Sequence, residues 1–487
     1  MNKISCFLPY AGKEQVEKTV NSLQATGLIE EIRLITTDAT LESLPDCEIL
    51  FVDMPYSSAT LKAIANAAKG EYTLLYTKET TLEMGMFALE RMIHILEDSS
   101  AGMVYADHYQ IADGKQSNAP VIDYQFGSLR DDFNFGSLLL FNTEKLKEAA
   151  GHMKSDYNFA GLYDLRLKLS QHSDLVHINE YLYSEVENDT RKSGEKIFDY
   201  VDPKNRDRQI EMEQACTEHL KEIGGYLAPE FKKIEFSAGN FEYEASVIIP
   251  VRNRIRTIRD AIKSVLMQKT DFKYNLIIID NHSTDGTTEA IDEFKDDERL
   301  IHIVPERNDL GIGGCWNVGV HHPKCGKFAV QLDSDDVYKD ENTLAIMVRA
   351  FYEQNCAMVV GTYMMTDFNM NMIAPGIIDH KEWTPANGRN NALRINGLGA
   401  PRAFYTPVLR EVKVPNTSYG EDYALGLNFS RQYQIGRVYE VVYLCRRWDD
   451  NSDASLDIVK MNAHNLYKDR IRTWELQARI ALNKKQR

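Results

Sequence analysis

Phe328-Ala329-Val330-Gln331-Leu332-Asp333-Ser334-Asp335-Asp336 is an apolar run that ends in carboxylates. A short apolar run bounded by polar residues predicts a strand buried on both faces, and such strands belong to sheets with helices packed on either side. The design recurs upstream. Ala245-Ser246-Val247-Ile248-Ile249-Pro250 reads as one buried strand, and Asn275-Leu276-Ile277-Ile278-Ile279-Asp280 as another with a carboxylate at its end. Arg259 to Gln268, between them, reads as a helix. In open α/β sheets, ligands bind beyond the carboxyl ends of strands. Asp280 and Asp333 are therefore placed for a ligand.

Strand and helix alternate in the same way from residue 1 to about 190. Ile4 to Pro9, Ile32 to Thr36, Glu48 to Val52 and Tyr72 to Tyr76 read as strands, and Glu14 to Leu23 and Met84 to Leu96 as helices. Arg191 to Lys196 is polar and loop-like. Asn205 to Ile223 is then helical, and Gly224-Gly225 stops it. The expected organisation is an α/β domain over 1–190, a helical connector over 191–243, a second α/β domain over 244–455 and a C-terminal helix over 456–487. The two α/β parts read as an internal duplication. Asn66, Gly70 and the strand Tyr72 to Tyr76 parallel Asn317, Gly326 and the strand Phe328 to Leu332. Tyr163-Asp164-Leu165 parallels Tyr423-Ala424-Leu425.

Composition bounds the function. The 487 residues are 43% hydrophobic and 26% charged, as expected of folded domains. The charge sum, 56 − 72 = −16, disfavours nucleic-acid binding. No apolar run approaches the ~20 residues of a membrane span, and Met1 to Pro9 does not read as a signal peptide. Seven scattered cysteines without a CxxC predict reduced thiols in a cytoplasmic protein.

Carboxylates crowded at a strand end raise each other's pKa values, and a divalent cation removes that conflict. The alternative is that Asp333 to Asp336 only cap the following helix. The neighbouring segments bear on the choice. They are Ser246 to Arg254, Ile279-Asp280-Asn281-His282-Ser283-Thr284-Asp285-Gly286-Thr287, and Asn308-Asp309-Leu310-Gly311-Ile312-Gly313-Gly314-Cys315-Trp316-Asn317. With Gly326 to Asp336 they form an ordered series. In order and spacing it resembles the nucleotide-binding half of glycosyltransferase family 2, inverting enzymes of the GT-A fold.

The resemblance implies two GT-A-like (nucleotide-diphospho-sugar transferase) domains, the first degenerate, and it implies roles. Pro250, Val251, Arg252 and Asn253 would hold the base and ribose of a nucleotide-sugar, most often a UDP-sugar. Asp280 would bond the base. Asp285 is either a further contact or only a helix cap. Gly313, Gly314 and Asn317 would let the chain approach the nucleotide. Asp333 and Ser334 would meet the donor, and Asp333 and Asp335 would bind Mn2+ or Mg2+. Ser418-Tyr419-Gly420-Glu421-Asp422-Tyr423 matches the family's ED motif. Asp422, with Glu421 beside it, would be the general base; a plain acidic helix start is the alternative.

Two departures stand out. Trp448 stands roughly where many members have a metal-binding His. Arg447-Trp448 resembles the end of a QxxRW motif, but Leu444 replaces its Gln. Arg447 or Arg446 would contact diphosphate and Trp448 a sugar ring, or the pair is structural. Over 1–190, Thr77-Lys78-Glu79 lies opposite Asp333-Ser334-Asp335, and Gly161-Leu162 opposite Glu421-Asp422; Asp38 would survive as a base contact. The first domain is thus expected to lack metal-dependent transfer. In the tail, Tyr467, Ile471, Trp474, Ala478 and Leu482 predict an apolar helical stripe, with eight basic residues against Asp469 and Glu475. Packing of that stripe on the protein is the expectation, and contact with the inner face of a membrane the alternative.

The expected function is transfer of a sugar to a glycan or glycolipid acceptor in surface polysaccharide synthesis, with homo-oligomerisation left open. A sugar nucleotidyltransferase would need a Gly-rich basic loop where Pro250 to Asn253 stands. A non-catalytic glycan-binding scaffold would leave Asp333, Asp335 and Asp422 without purpose. A glycosidase would leave the nucleotide motifs unexplained.

Overall fold

The computed structural model describes residues 3–42, 44–186, 205–237, 239–448 and 456–486. The loop expected at Arg191 to Lys196 lies outside the described residues. Two compact units divide them. The first takes 3–186, 205–225 and 456–474, and the second takes 226–448 and 475–486.

The first unit runs β1 (Ile4–Pro9), α1 (Lys13–Gln24), β2 (Ile29–Thr36), β3 (Glu48–Phe51), α2 (Ser58–Ala67), β4 (Tyr72–Tyr76), β5 (Leu82–Met84) and α3 (Ala88–Asp98). It continues with β6 (Met103–Ala112), β7 (Lys115–Ala119), β8 (Leu138–Asn142), α4 (Thr143–Gly151), α5 (Gly161–Ser170), β9 (Leu175–Val186) and α6 (Arg206–Glu222). Helix α6, expected as part of a connector, belongs to this unit. Its Glu211 accepts the backbone N–H groups of Asn158, Phe159 and Ala160 just before α5.

The second unit runs β10 (Ala245–Val251), α7 (Ile258–Leu266), β11 (Tyr274–Asp280), α8 (Thr287–Asp292), β12 (Leu300–Ile303), α9 (Ile312–His321), β13 (Phe328–Gln331) and β14 (Val337–Tyr338). It continues with α10 (Thr343–Gln354), β15 (Met358–Thr366), β16 (Met372–Ile378), α11 (Gly388–Asn391), β17 (Arg402–Tyr405), α12 (Thr406–Val412), α13 (Glu421–Gln432) and β18 (Ile435–Arg446). Helix α14 (Ile458–Gln486) has residues in both units.

The two sheets have the same strand order, position for position. The first reads β3-β2-β1-β4-β8-β6-β9-β5 with β7 on β6, and the second β12-β11-β10-β13-β17-β15-β18-β14 with β16 on β15. In the second sheet β10 pairs in parallel with β11 and β13, while β17 pairs antiparallel with β13. Strand β11 is buried along its whole length, which is why Leu276 to Ile279 before Asp280 are all apolar.

Small details repeat as well. Ser5 stands opposite Glu31, donates to it, and accepts the Gly70 N–H at 2.8 Å. Ser246 stands opposite Asn275, donates to it, and accepts the Gly326 N–H at 2.7 Å. At both glycines a Cβ would strike backbone, the Lys3 oxygen at 2.5 Å or the Ala245 carbonyl carbon at 2.7 Å, so only glycine fits.

The tail departs from its expectation. Of the proposed stripe only Ile471 is buried, and Trp474 is 59% exposed. The buried face of α14 is largely charged. Asp469 accepts from Ser128 and Arg472 within the first unit. Glu475 pairs with Arg431 and Arg479 within the second. Buried charge pairs hold this helix, and no apolar stripe does. Among the described residues no helix is long and apolar enough to cross a membrane. All seven cysteines are free thiols.

Candidate active site

The end of β13 delivers three carboxylates with different surroundings. Asp336 is buried and accepts the Arg446 N–H at 2.7 Å; burial, with Asp335 and Asp333 nearby, pushes its carboxyl far above the usual range. It anchors the end of β18. Asp333 accepts from the Gln331 amide at 2.9 Å, and its own N–H donates to the Tyr443 hydroxyl. Burial pushes its carboxyl up, Arg402 draws it back, and Asp335 pushes it up again. Ser334 between them is buried. Asp335 meets the Trp448 indole N–H at 3.4 Å and the Arg254 Nε at 3.8 Å.

Helix α13 starts behind Gly420, whose φ of 79° turns the chain without strain. Glu421 and Asp422 occupy its first turn. Asp422 pairs with Arg402 at 2.7 Å. Glu421 has a buried Oε2 with no hydrogen-bond partner; burial and the neighbouring Asp422 push its carboxyl up to about 8. Arg402, the first residue of β17, thus lies in the field of Asp422, Asp333 and Glu421, which together hold its charge against burial. It links the two acidic groups. Sequence reasoning missed it, and its only signal was a charged residue opening an otherwise apolar strand.

The loop after β10 is tied to the loop after β11. Asn253, at φ 55°, donates its N–H to Ser283 and accepts the Thr284 N–H at 2.8 Å. Asp285 accepts from Thr287 and from the Ile255 N–H, so it is a cap and a staple. Pro250 and Val251 close β10, and Arg252 is exposed beyond them.

Asp280 requires a correction. Its carboxylate has no exposed surface. One oxygen accepts from the Ser283 N–H, the other from the Thr288 hydroxyl, and His302 lies 3.6 Å away. Burial opposes its charge, but the bonds from His302, Ser283 and Thr288 hold it well below the usual carboxylate range. Its bonds brace the loop after β11. The adjacent Asn281 donates its amide to the Leu310 carbonyl at 2.9 Å, while its buried Oδ1 has no partner among the described residues. An orphaned buried acceptor marks a place for a donor from outside.

The glycines of α9 are also reassigned. A Cβ on Gly313 would stand inside the Pro415 carbonyl oxygen, and one on Gly314 inside the Asn416 side chain. Asn317 donates to the Val414 carbonyl at 2.7 Å and accepts the Val414 N–H at 3.0 Å. These three residues dock the 414–417 loop, which leads into Glu421 and Asp422. They hold the segment that leads into the acidic pair.

The end of β18 supplies a basic and aromatic group. Arg446 is buried, donating to the Asp335 carbonyl at 2.5 Å and to Asp260 at 2.9 Å. Arg447 continues the pairing with β15 through the Thr366 carbonyl. Trp448 meets Phe368 edge to face, with a ring-centroid separation of 5.2 Å. Where a histidine would have completed a metal site, an indole N–H now points at Asp335, and it cannot ligate. Among the described residues no three of His, Cys, Asp and Glu form a ready-made metal cage.

In the first unit, the register of β4 with β1 sets Thr77, Lys78 and Glu79 at the positions of Asp333, Ser334 and Asp335. Lys78 pairs with buried Glu185 at 2.5 Å, and His108 lies 3.2 Å from the same carboxylate. Ser137 donates to its other oxygen. Burial works against Glu185, yet His108 and Lys78 bring its carboxyl down to about 2. The strand registers equate Thr36, rather than Asp38, with Asp280. Asp38 is spent on Thr40.

The geometry of the second unit thus joins strand-end carboxylates, an acidic helix start and a pair of tied loops. Residues 246–403 match the family model Glycosyl transferase family 2. The family 2 match starts at Ser246 and ends beside Arg402, so Glu421 and Asp422 lie beyond it. An uncharacterized glycosyltransferase of Rickettsia felis is 37% identical over 198 residues, 40% of this chain and 31% of the relative. The putative teichuronic acid biosynthesis glycosyltransferase TuaG of Bacillus subtilis is 29% identical over 126 residues, 26% of this chain and 49% of the relative. The Campylobacter jejuni GalNAc(5)-diNAcBac-PP-undecaprenol beta-1,3-glucosyltransferase is 36% identical over 93 residues, 19% of this chain and 29% of the relative. The chain spans less than half of each of these three. Among solved structures, S. aureus TarS with UDP-GlcNAc aligns at a TM-score of 0.37 and 20% identity, covering 48% of this chain and 72% of that one.

Proposed function

We propose that the second unit is an inverting glycosyltransferase that moves a sugar from a nucleotide-sugar, a UDP-sugar, to a glycan or glycolipid acceptor in surface polysaccharide synthesis. The observation that carries the proposal is Arg402. It pairs with Asp422 and lies in the field of Asp333, so the donor-side and base-side carboxylates form one charged group around a single guanidinium. The family 2 match over the same strands, and the polysaccharide-related names of two relatives, support the acceptor class.

Asp422 would accept the acceptor hydroxyl's proton as that oxygen attacks the anomeric carbon. General-base help of this kind contributes typically ~10²–10⁴-fold. Glu421, held protonated near neutral pH, would leave Asp422 as the ionised member of the pair. Asp333 and Asp335 would hold Mn2+ or Mg2+. The fit rests on Asp333 and Asp335 standing together at the end of β13, where burial pushes the Asp333 carboxyl up and Asp335 adds to it, a like-charge conflict that a cation relieves. Such an ion would keep one or two carboxylates and take its other ligands from substrate phosphates. Such an ion supplies charge neutralisation for the departing nucleoside diphosphate. Asn281 Oδ1 would accept a base N–H, and Pro250 to Asn253 would flank the ribose. Ser334, Arg447 and Trp448 would border the diphosphate and sugar.

The test is donor binding and hydrolysis with a panel of nucleotide-sugars and Mn2+. Asp335→Ala should lose metal-dependent donor binding, whereas Asp422→Asn should keep binding and lose transfer. Equal loss of both functions in Asp422→Asn sinks the base assignment.

We read the first unit as a degenerate GT-A-like domain that supports the second. The shared strand order supports this, as does the Lys78–Glu185 pair where the second unit has Ser334 and Cys445. Metal-dependent donor hydrolysis that survives Asp335→Ala in the full chain would assign chemistry to the first unit and end this reading.

A further inference from the structure

Arg256 is exposed, yet it is held in place. Its guanidinium carbon lies 4.8 Å from the Trp448 ring centroid and 5.4 Å from that of Phe368. Those two rings pack edge to face and make a shelf. Among the described residues Arg256 has no ion-pair partner, and neither does exposed Arg252. Arg259, Arg299, Arg307 and Arg431 in the same unit pair with carboxylates. Arg446 is spent on Asp260 and the Asp335 carbonyl, and Arg254 reaches Asp335.

The division of labour is informative. Arg254 lies on the carboxylate proposed to hold the cation and the donor diphosphate. Arg256 lies on the same indole and also on Phe368. A guanidinium stacked on a ring keeps its N–H edge outward, and that edge matches two oxygens of one phosphate. In a protein of net charge −16, an anionic substrate meets overall repulsion, which local unspent arginines overcome.

We propose that Arg256, seated on Trp448 and Phe368, is a phosphate subsite for the acceptor. The molecule that receives the sugar carries a phosphate ester close to the hydroxyl being glycosylated. This inference rests on the nucleotide-sugar reading above, and the experiment separates the two.

The full chain is saturated with UDP and Mn2+ and titrated with methyl phosphate and with inorganic phosphate, following tryptophan fluorescence; Trp448→Phe identifies the local signal. Both probes should bind the UDP-loaded protein. Arg256→Gln should weaken both by about tenfold, the value of one charge-assisted contact. Arg256→Lys should recover part of the loss, and neither variant should change UDP affinity. Displacement of methyl phosphate by saturating UDP would place Arg256 in the donor site and overturn the proposal. So would unchanged phosphate binding in Arg256→Gln. If UDP does not bind the wild-type chain, the donor reading falls alone, and the same tenfold criterion applies to the titration without UDP.

Discussion

Replacing Glu421 by Gln should stabilise the protein, and more so as pH rises. The Glu421 carboxyl goes from an ordinary 4.5 to about 8, through burial and the adjacent Asp422. Below 4.5 it is protonated whether the chain is folded or not, and it costs nothing. Between 4.5 and 8 the unfolded chain releases the proton while the folded chain keeps it, so stability falls as pH rises. The full penalty is (8 − 4.5) × ~1.36, or about 5 kcal/mol. Glu421 and Asp422 titrate as a pair, so we assign about half, ~2 kcal/mol, to the single replacement. Glutamine keeps the shape and carries no charge. Urea unfolding of both proteins at about pH 5 and about pH 9 isolates this group, because the remaining titrations are common to the two. The variant should gain about 2 kcal/mol on the wild type between those conditions. It should also retain most transfer activity at neutral pH, since Glu421 is already uncharged there. An equal stability gap at both pH values, or a wild type more stable than the variant at the higher one, refutes the reasoning.

Three other perturbations test the architecture. Gly313→Ala must move the Pro415 carbonyl, a cost of ~1–3 kcal/mol that exceeds the ~1 kcal/mol gained in helix propensity. Thermal unfolding should show a net loss, with kcat falling more than KM changes, whereas Gly151→Ala, with open space around it, should be neutral or stabilising. Arg402→Gln removes the partner of Asp422, so the acid limb of the pH–rate profile should move to higher pH while the basic limb stays. Asp469→Asn removes a buried carboxylate that meets Arg472 at 2.8 Å, Arg130 at 3.5 Å and the Ser128 hydroxyl, and should lower stability in urea unfolding by a few kcal/mol, on the order of the ~3–5 kcal/mol for breaking a buried pair.

The strands that carry the site were legible because β10, β11 and β13 are buried on both faces and must be apolar. The carboxylates were legible because charge at the end of such a run has few structural uses. What the sequence hid were the directions of side chains and the identities of distant partners. Asp280 and Asn281 are neighbours at a strand end, so their side chains leave on opposite faces. The charged residue attracted the functional reading, but only the fold shows that it is the one turned inward, onto Ser283, Thr288 and His302. Gly313 and Gly314 read as room for a ligand, since a sequence cannot show that the 414–417 loop already fills the space. Arg402 carries only a weak local signal, a charge opening an apolar strand, and its partners Asp422 and Asp333 are distant in sequence. In α14 the apolar spacing was real, but Arg472 and Arg479 found buried carboxylates, and those pairs outweighed the stripe in deciding which face is covered.

The comparison of the two units within one chain separates what the fold requires from what a site requires. Ser5 with Gly70 and Ser246 with Gly326 repeat because each clasp satisfies buried backbone donors where a sheet strand meets a preceding turn; loss of either would leave an unpaired N–H in the core. The acidic end of the fourth strand is different. In the second unit burial pushes the Asp333 and Asp336 carboxyls up and the nearby Asp335 adds to both, which is a standing cost to stability. In the first unit Lys78 and His108 neutralise Glu185 at the corresponding end of the sheet, and the conflict is gone. A cost of several interacting carboxylates persists only where something other than folding demands it, because replacements that relieve such strain are common and stabilising. By that criterion the carboxylate cluster of the second unit marks the candidate site, and the first unit, on a matching strand order, carries Thr77, Lys78 and Glu79 at the same positions.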